Sequence, residues 1–177
     1  MAQRKSFTAL FFLFLSLLGL AIGCQRGPAT KVVKSYDGRF QVTVPGGWQE
    51  DNSLHEDADL EVAHRPTKMY LIILAESKAD FDGMTLQRHS DITRNALKEG
   101  VTVEQESGPV ALTIDGHPAL QYEIRATTNS TKIIYLHTTV ETPTYFYQIL
   151  AWTIPSRYQV DPVTIRKVTE TFHELKS

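Results

Sequence analysis

Phe40, Val42 and Val44 alternate with Arg39, Gln41 and Thr43, a period of two that predicts a strand with one buried face, stopped by Pro45-Gly46-Gly47. Leu60, Val62 and His64 repeat the pattern more weakly. Residues 69–75, Met-Tyr-Leu-Ile-Ile-Leu-Ala, are apolar at nearly every position, which places them in the middle of a sheet covered on both sides. Thr85 then caps a predicted helix running to Glu99, with Leu86, Ile92, Ala96 and Leu97 on its apolar side and Gly100 ending it. Residues 101–105 and 110–114 read as two strands divided by Gly108-Pro109. Asp115-Gly116 predicts a tight hairpin into residues 120–126, where Leu120, Tyr122 and Ile124 alternate with Gln121, Glu123 and Arg125. Residues 133–140 and 145–153 form a second predicted hairpin, its last strand apolar on both faces. Asp161 as N-cap, Pro162 at the first position and Ile165, Val168, Phe172 and Leu175 at spacings of three and four predict a closing helix. The sum is an α+β domain, a largely antiparallel sheet with two amphipathic helices to cover it.

The start of the chain has a different pattern. Arg4 and Lys5 precede an uncharged stretch, residues 6–23, whose greasiest part is 11–18, and the only cysteine of the 177 residues follows at Cys24. This is the layout of a signal peptide. The stretch is also long enough for a retained membrane helix, but the basic head, the small residues at its end and the placement of Cys24 favour cleavage. Ala21-Ile22-Gly23-Cys24 resembles the lipobox of bacterial lipoproteins, with Ala21 where that family prefers Leu. The resemblance implies diacylglyceryl and acyl chains on Cys24, which then becomes the first mature residue. Two or more chains hold a protein durably at a membrane, where one holds it only reversibly. Gln25 in place of Asp implies the periplasmic face of the outer membrane in a cell with two membranes. The expected organisation is therefore a signal peptide at 1–23, a lipidated tether at 24–34 and one domain at 35–177.

Without residues 1–23, 154 residues remain, a size that buries around 68–70% of the unfolded chain's surface in one domain. Loss of Arg4 and Lys5 leaves 16 basic against 20 acidic residues, a net charge of −4. That balance argues against a sequence-independent nucleic-acid binder, which needs a basic footprint. With Cys24 acylated no thiol is left for disulfides or thiolate metal sites.

The order FQVTVPGGW, a helix after a central strand, ALTIDGHPALQYE, and FYQILAWTIPS before a last helix containing Phe172 resembles the PsbP-like fold, especially the DcrB-type bacterial lipoproteins. The likeness spans most of residues 36–175. It implies a layered α/β sandwich. Members of that group share a fold and not a reaction, so it implies no activity.

The chain contains no HExxH, GxSxG, GxxxxGK[ST] or GxGxxG, and the expectation is a protein without catalysis or cofactor. Residues 50–61 gather six carboxylates and His55, chemistry open to a hard cation, but their spacing matches no calcium loop, and a solvated acidic loop is the simpler expectation. His89 falls on the apolar side of the first helix as a satisfied boundary residue. His64 and His137 lie in strands that could be neighbours, which would bring two imidazoles together; no metal site is assigned to them. Tyr135 and His137 on one predicted strand and Tyr145 and Tyr147 on the next form a candidate amphipathic surface for an envelope protein partner, unless a helix covers them as core. Trp48 is expected to anchor the core. The functional expectation is a lipid-anchored envelope protein whose domain binds or stabilises another envelope component; the alternative is a periplasmic module for a small molecule or metal.

Overall fold

Strands apolar on both faces need a layer on each side, and the chain supplies two unequal ones. The structure is a computed structural model, and it describes residues 29–175; the apolar run before Cys24, and Cys24 itself, lie outside the described residues. A seven-stranded antiparallel sheet is built from β3 (Gln49–Glu50), β4 (Leu60–His64), β5 (Met69–Ser77), β6 (Thr102–Ile114), β7 (His117–Thr128), β8 (Thr131–Glu141) and β9 (Tyr145–Thr153), in the order β3-β4-β5-β9-β8-β7-β6. A second sheet of three strands has the order β1 (Thr30–Lys34), β2 (Phe40–Pro45), β10 (His173–Glu174). Helix α1 (Leu86–Glu99) lies on one face of the large sheet; α2 (Pro155–Val160) and α3 (Pro162–Glu170) join the small sheet on the other.

The main core fills the space between the two sheets. Phe40, Val42 and Val44 face Leu71, Ile73, Leu136 and Ile149, with Ile165, Val168 and Phe172 closing the side. Tyr147 sits at its centre, in edge contact with Phe40 at 5.2 Å and tilted against Phe172 at 4.8 Å between ring centroids. Its hydroxyl donates to Glu174 at 2.8 Å, so the ring is buried and its polar tip is satisfied.

Both predicted hairpins form. Asp115 (φ 53°) and Gly116 (φ 79°) are both left-handed, as are Asn129 and Ser130, the geometry whose twist matches paired strands. Thr85 caps α1 by accepting from the Arg88 amide, and Asp161 caps α3 by accepting from the Thr164 amide.

Four expectations need correction. Residues 30–34 are a strand and not part of a tether: backbone pairing of Val33 with Val42 and its neighbours holds them, although only Val33 is buried, too short a signal to read as periodicity. Residues 101–105 and 110–114 belong to one thirteen-residue strand, β6, whose register with β7 shifts at Val103/Gln105 and at Ser107/Val110; Gly108-Pro109 sits in a bulge and not between strands. The closing helix ends at Glu170 because the Thr171 hydroxyl bonds the Thr43 backbone, donating at 3.0 Å to its carbonyl while accepting from its amide, and turns the chain to pair as β10. A third, short helix, α2, starts at Pro155 after Ile154 and buries Tyr158, where the sequence pointed to two helices only.

Phe40→Ala removes a fully buried ring from the Phe40–Tyr147–Phe172 contact and is expected to cost about 3–5 kcal/mol, read as a lower urea midpoint at unchanged m-value.

Candidate functional site

The register separates the residues that the sequence grouped. Along β9, Tyr145, Tyr147, Ile149 and Ala151 point into the main core, and Phe146, Gln148, Leu150 and Trp152 point to the face that carries α1. Tyr135 and His137 pair with Trp152 and Leu150, so they share the α1 face. The candidate surface of Tyr135, His137, Tyr145 and Tyr147 is therefore split across the sheet: β8 and β9 do pair, but in a register that sets the two pairs of side chains back to back. Tyr147 and His137 have no exposed surface. Tyr145 is half-buried, with the Arg39 guanidinium 4.7 Å above its ring.

His64 and His137 are not neighbours either. Strands β5 and β9 stand between β4 and β8, and the two imidazoles lie on opposite faces. Three of the six carboxylates of the acidic segment have partners: Glu61, 4% exposed, accepts from the Leu54 and His55 amides, Asp59 accepts from the Ala75 amide at 2.8 Å, and Asp51 pairs with Arg65 at 2.7 Å, while Glu50, Glu56 and Asp57 are exposed.

On the α1 face, cross-strand rows run Glu76–Phe146–Glu141, Leu74–Gln148–Thr139–Leu120, Ile72–Leu150–His137–Tyr122 and Tyr70–Trp152–Tyr135–Ile124. Helix α1 covers part of this face with polar groups. His89 stacks on Phe146 at 4.5 Å and bonds the Glu76 carboxylate through Nε2. The Thr93 hydroxyl meets His137 Nε2 at 3.0 Å, Arg94 lies 3.8 Å over the Tyr122 ring, and Leu97 joins the apolar cluster. Ile92, expected on the buried side, is 50% exposed, and Ala96 is exposed as well; the helix is turned so that His89, Ser90 and Thr93 face the sheet. His137 is held neutral here, its pKa pushed down to about 3 by burial first and then by Arg94 and His89. Its hydrogen bond to His89 pulls the Glu76 carboxyl below its ordinary value against partial burial.

Beyond α1, the fourth row is half open. Tyr70 and Trp152 stack at 5.3 Å with 16° between their planes, Tyr135 stands 6.4 Å from Trp152, and Tyr70 and Trp152 each keep part of their surface in solvent. Ile72 and Leu150 of the third row flank it, and Leu54, Leu74 and Ile133 pack against the same apolar cluster. Sequence reasoning found Tyr135 and missed Tyr70 and Trp152, because the row exists only once β5, β9 and β8 are set in register.

A cleft of about 270 Å³ opens at another end of the sheet, lined by Trp48, His64, Met69, Arg157, Val160 and Asp161. Trp48 is core, 3% exposed, and stacks on His64 at 6.5 Å. Gly47 makes this possible: its φ is +90°, and a Cβ there would lie 2.8 Å from His64 Nε2. A second cleft of about 400 Å³ is lined by Glu50, Asp51 and Arg65.

No family model matches the sequence, and no curated protein matches it. The solution structure of cyanobacterial PsbP (CyanoP) from Synechocystis sp. PCC 6803 superposes with a TM-score of 0.62 at 12% identity, over 89% of this chain and 99% of CyanoP. This chain has the PsbP-like fold. The same fold appears in LpqN, involved in cell envelope biogenesis in Mycobacterium tuberculosis, at TM-score 0.62 and 14% identity over 84% of this chain and 91% of LpqN. It appears again in the Ran-binding protein Mog1p of Saccharomyces cerevisiae, at TM-score 0.54 and 13% identity over 84% of this chain and 96% of Mog1p. Within the PsbP-like fold of this chain, among the described residues, no helix is long and apolar enough to cross a membrane.

Because the folded His137 binds a proton only near pH 3 while the unfolded one binds it near its ordinary value of 6.5, the unfolded state takes up protons first as pH falls. The His137 contribution to stability is expected to be full above about pH 7 and to fall by about 1.4 kcal/mol per pH unit below 6.5. The expected loss between about pH 7.5 and pH 5 is about 2 kcal/mol by urea titration, a window above that in which the depressed Glu76 contributes. His137→Gln is expected to abolish that slope.

Proposed function

We propose that this protein is a non-catalytic lipoprotein of the bacterial cell envelope, anchored by acyl chains on Cys24, whose domain binds or stabilises another envelope protein through the Tyr70–Trp152–Tyr135 row. The observation that carries the reading is that row: Trp152 flanked by Tyr70 and Tyr135 on adjacent strands of the sheet, with Tyr70 and Trp152 partly in solvent. Tyr and Trp supply large contact area with few rotatable bonds, and they dominate the energetics of protein interfaces. Anchoring adds local concentration at one membrane face, so a modest intrinsic affinity suffices. The lipobox-like Ala21-Ile22-Gly23-Cys24 supports the anchor, and Gln25 supports the periplasmic face of the outer membrane where two membranes exist. The envelope role of LpqN, which has the same fold, agrees with this setting.

The Trp48–His64 cleft favours a second reading, a periplasmic module for a small ligand. Its volume of about 270 Å³ lies just below the usual range for such sites, and its walls combine Trp48 and Met69 with the opposite charges of Arg157 and Asp161.

Intact-mass measurement of the mature protein from cells is expected to show an acylated Cys24 as first residue, with Cys24→Ala released from the membrane fraction. Crosslinking in cells followed by mass spectrometry is expected to lose its envelope partner in Cys24→Ala and in Tyr70→Ser/Trp152→Ser. The latter pair should weaken binding about 30-fold or more, as for a truncated interface hot spot. Undiminished crosslinks in both variants would refute the reading.

A further inference from the structure

Of the four strands at the margins of the two sheets, one keeps an unguarded stretch. Edge strands offer unpaired backbone donors and acceptors, and proteins blunt them by short length, charge, proline or bulges. Strands β3 and β10 are two residues each. Strand β1 carries Lys31 and Lys34. Strand β6 pairs with β7 on one side and, among the described residues, with nothing on the other; from Thr102 to Ala111 every residue is exposed.

The two halves of β6 differ. Its first half is guarded by two register shifts and Pro109, and its two carboxylates are engaged: Glu104 with Thr127 and Lys132, Glu106 with Arg94 and Lys98. Its second half, residues 110–113 (Val-Ala-Leu-Thr), has no charge, no proline and no bulge. It pairs with β7 in unbroken register from Val110↔Gln121 to Ile114↔His117. Val110 is 54% exposed and Leu112 is half-buried against the main core, while Ala111 and Thr113 are exposed on the opposite face.

We propose that residues 110–113 are a docking edge for an extended segment of a partner protein, which adds to the large sheet as an eighth strand. Backbone pairing supplies the hydrogen bonds in this mode, and alternate side chains supply the preference. The uncharged edge selects uncharged, β-branched or aliphatic residues, which would lie beside Val110 and Leu112 on one face and Ala111 on the other. The bulge at Ser107/Val110 limits the site at one end and the Asp115-Gly116 turn at the other. Four residues at about 3.3 Å each make an edge about 13 Å long. Backbone pairing over that length buries far less than the roughly 1,200 Å² that two folded bodies need for a stable dimer, so the edge alone does not hold a second copy of this chain. An extended segment meets the edge without that requirement. This edge is independent of the aromatic row, which lies on the face of the sheet.

The test is hydrogen–deuterium exchange of the full-length protein in detergent, followed by mass spectrometry, with a capped Thr-Val-Thr-Val-Thr peptide at about 1 mM as probe. The peptide is expected to slow exchange across residues 110–114 about tenfold and to leave β5 and the rest of the sheet unchanged. Val110→Lys/Thr113→Lys places two charges at exposed positions; it is expected to abolish the protection while keeping the urea midpoint of the parent. No slowing with the peptide, or equal slowing in the lysine variant, overturns the proposal. So does protection of residues 110–114 that appears on concentrating the protein alone, which would mean that a second copy occupies the edge.

Discussion

A strand buried on both faces obliges the chain to supply two covers, and β9 is that strand. It sits between β5 and β8, and both of its faces are lined by large side chains, Tyr147 and Ile149 one way, Phe146 and Leu150 the other. Losing either cover would expose a wide apolar surface, so each remaining element is placed by this demand. The small sheet and α3 form one cover, held in place by the Phe40–Tyr147–Phe172 contact, and α1 forms part of the other.

The covers differ in chemistry, and the difference shapes the surface. The core side is closed by aliphatic and aromatic residues and leaves Tyr147 deep, with only its hydroxyl satisfied by Glu174. The α1 side is closed by imidazole, hydroxyl and guanidinium groups, which desolvate His137 without giving it a charged partner that would favour the cation. Because α1 lies over Phe146, His137 and Tyr122, the row through Tyr70, Trp152 and Tyr135 is left half open. The open aromatic row and the helix seat are thus two parts of one sheet face, divided by how far α1 reaches.

The sheet margins follow a related economy of short strands and lysines, broken along the second half of β6. A backbone edge and an aromatic face call for different chemistry in what they meet, extended chain in one case and a shaped side-chain surface in the other. Both stay rigid because they are set on strands and not on loops.

Much of the architecture was legible in the chain. The alternation at 40–44 and 120–126, the apolar runs at 69–75 and 145–153, the Asp115-Gly116 turn and the caps at Thr85 and Asp161 are local signals, and each produced its element, because period, turn chemistry and capping act over a few residues. The strand at 30–34, the continuity of β6 through Gly108-Pro109 and the end of α3 at Glu170 were not legible, since each depends on backbone pairing with residues distant in sequence. The same reason explains the site. Sequence showed that Tyr135, His137, Tyr145 and Tyr147 lie on adjacent strands; register alone decided that they point to opposite faces, that His64 and His137 never meet, and that Tyr70 and Trp152 complete the row with Tyr135. Composition and local pattern determine which elements form and which of their sides is apolar, whereas strand order and register, which are sums over many long-range contacts, decide which side chains share a surface.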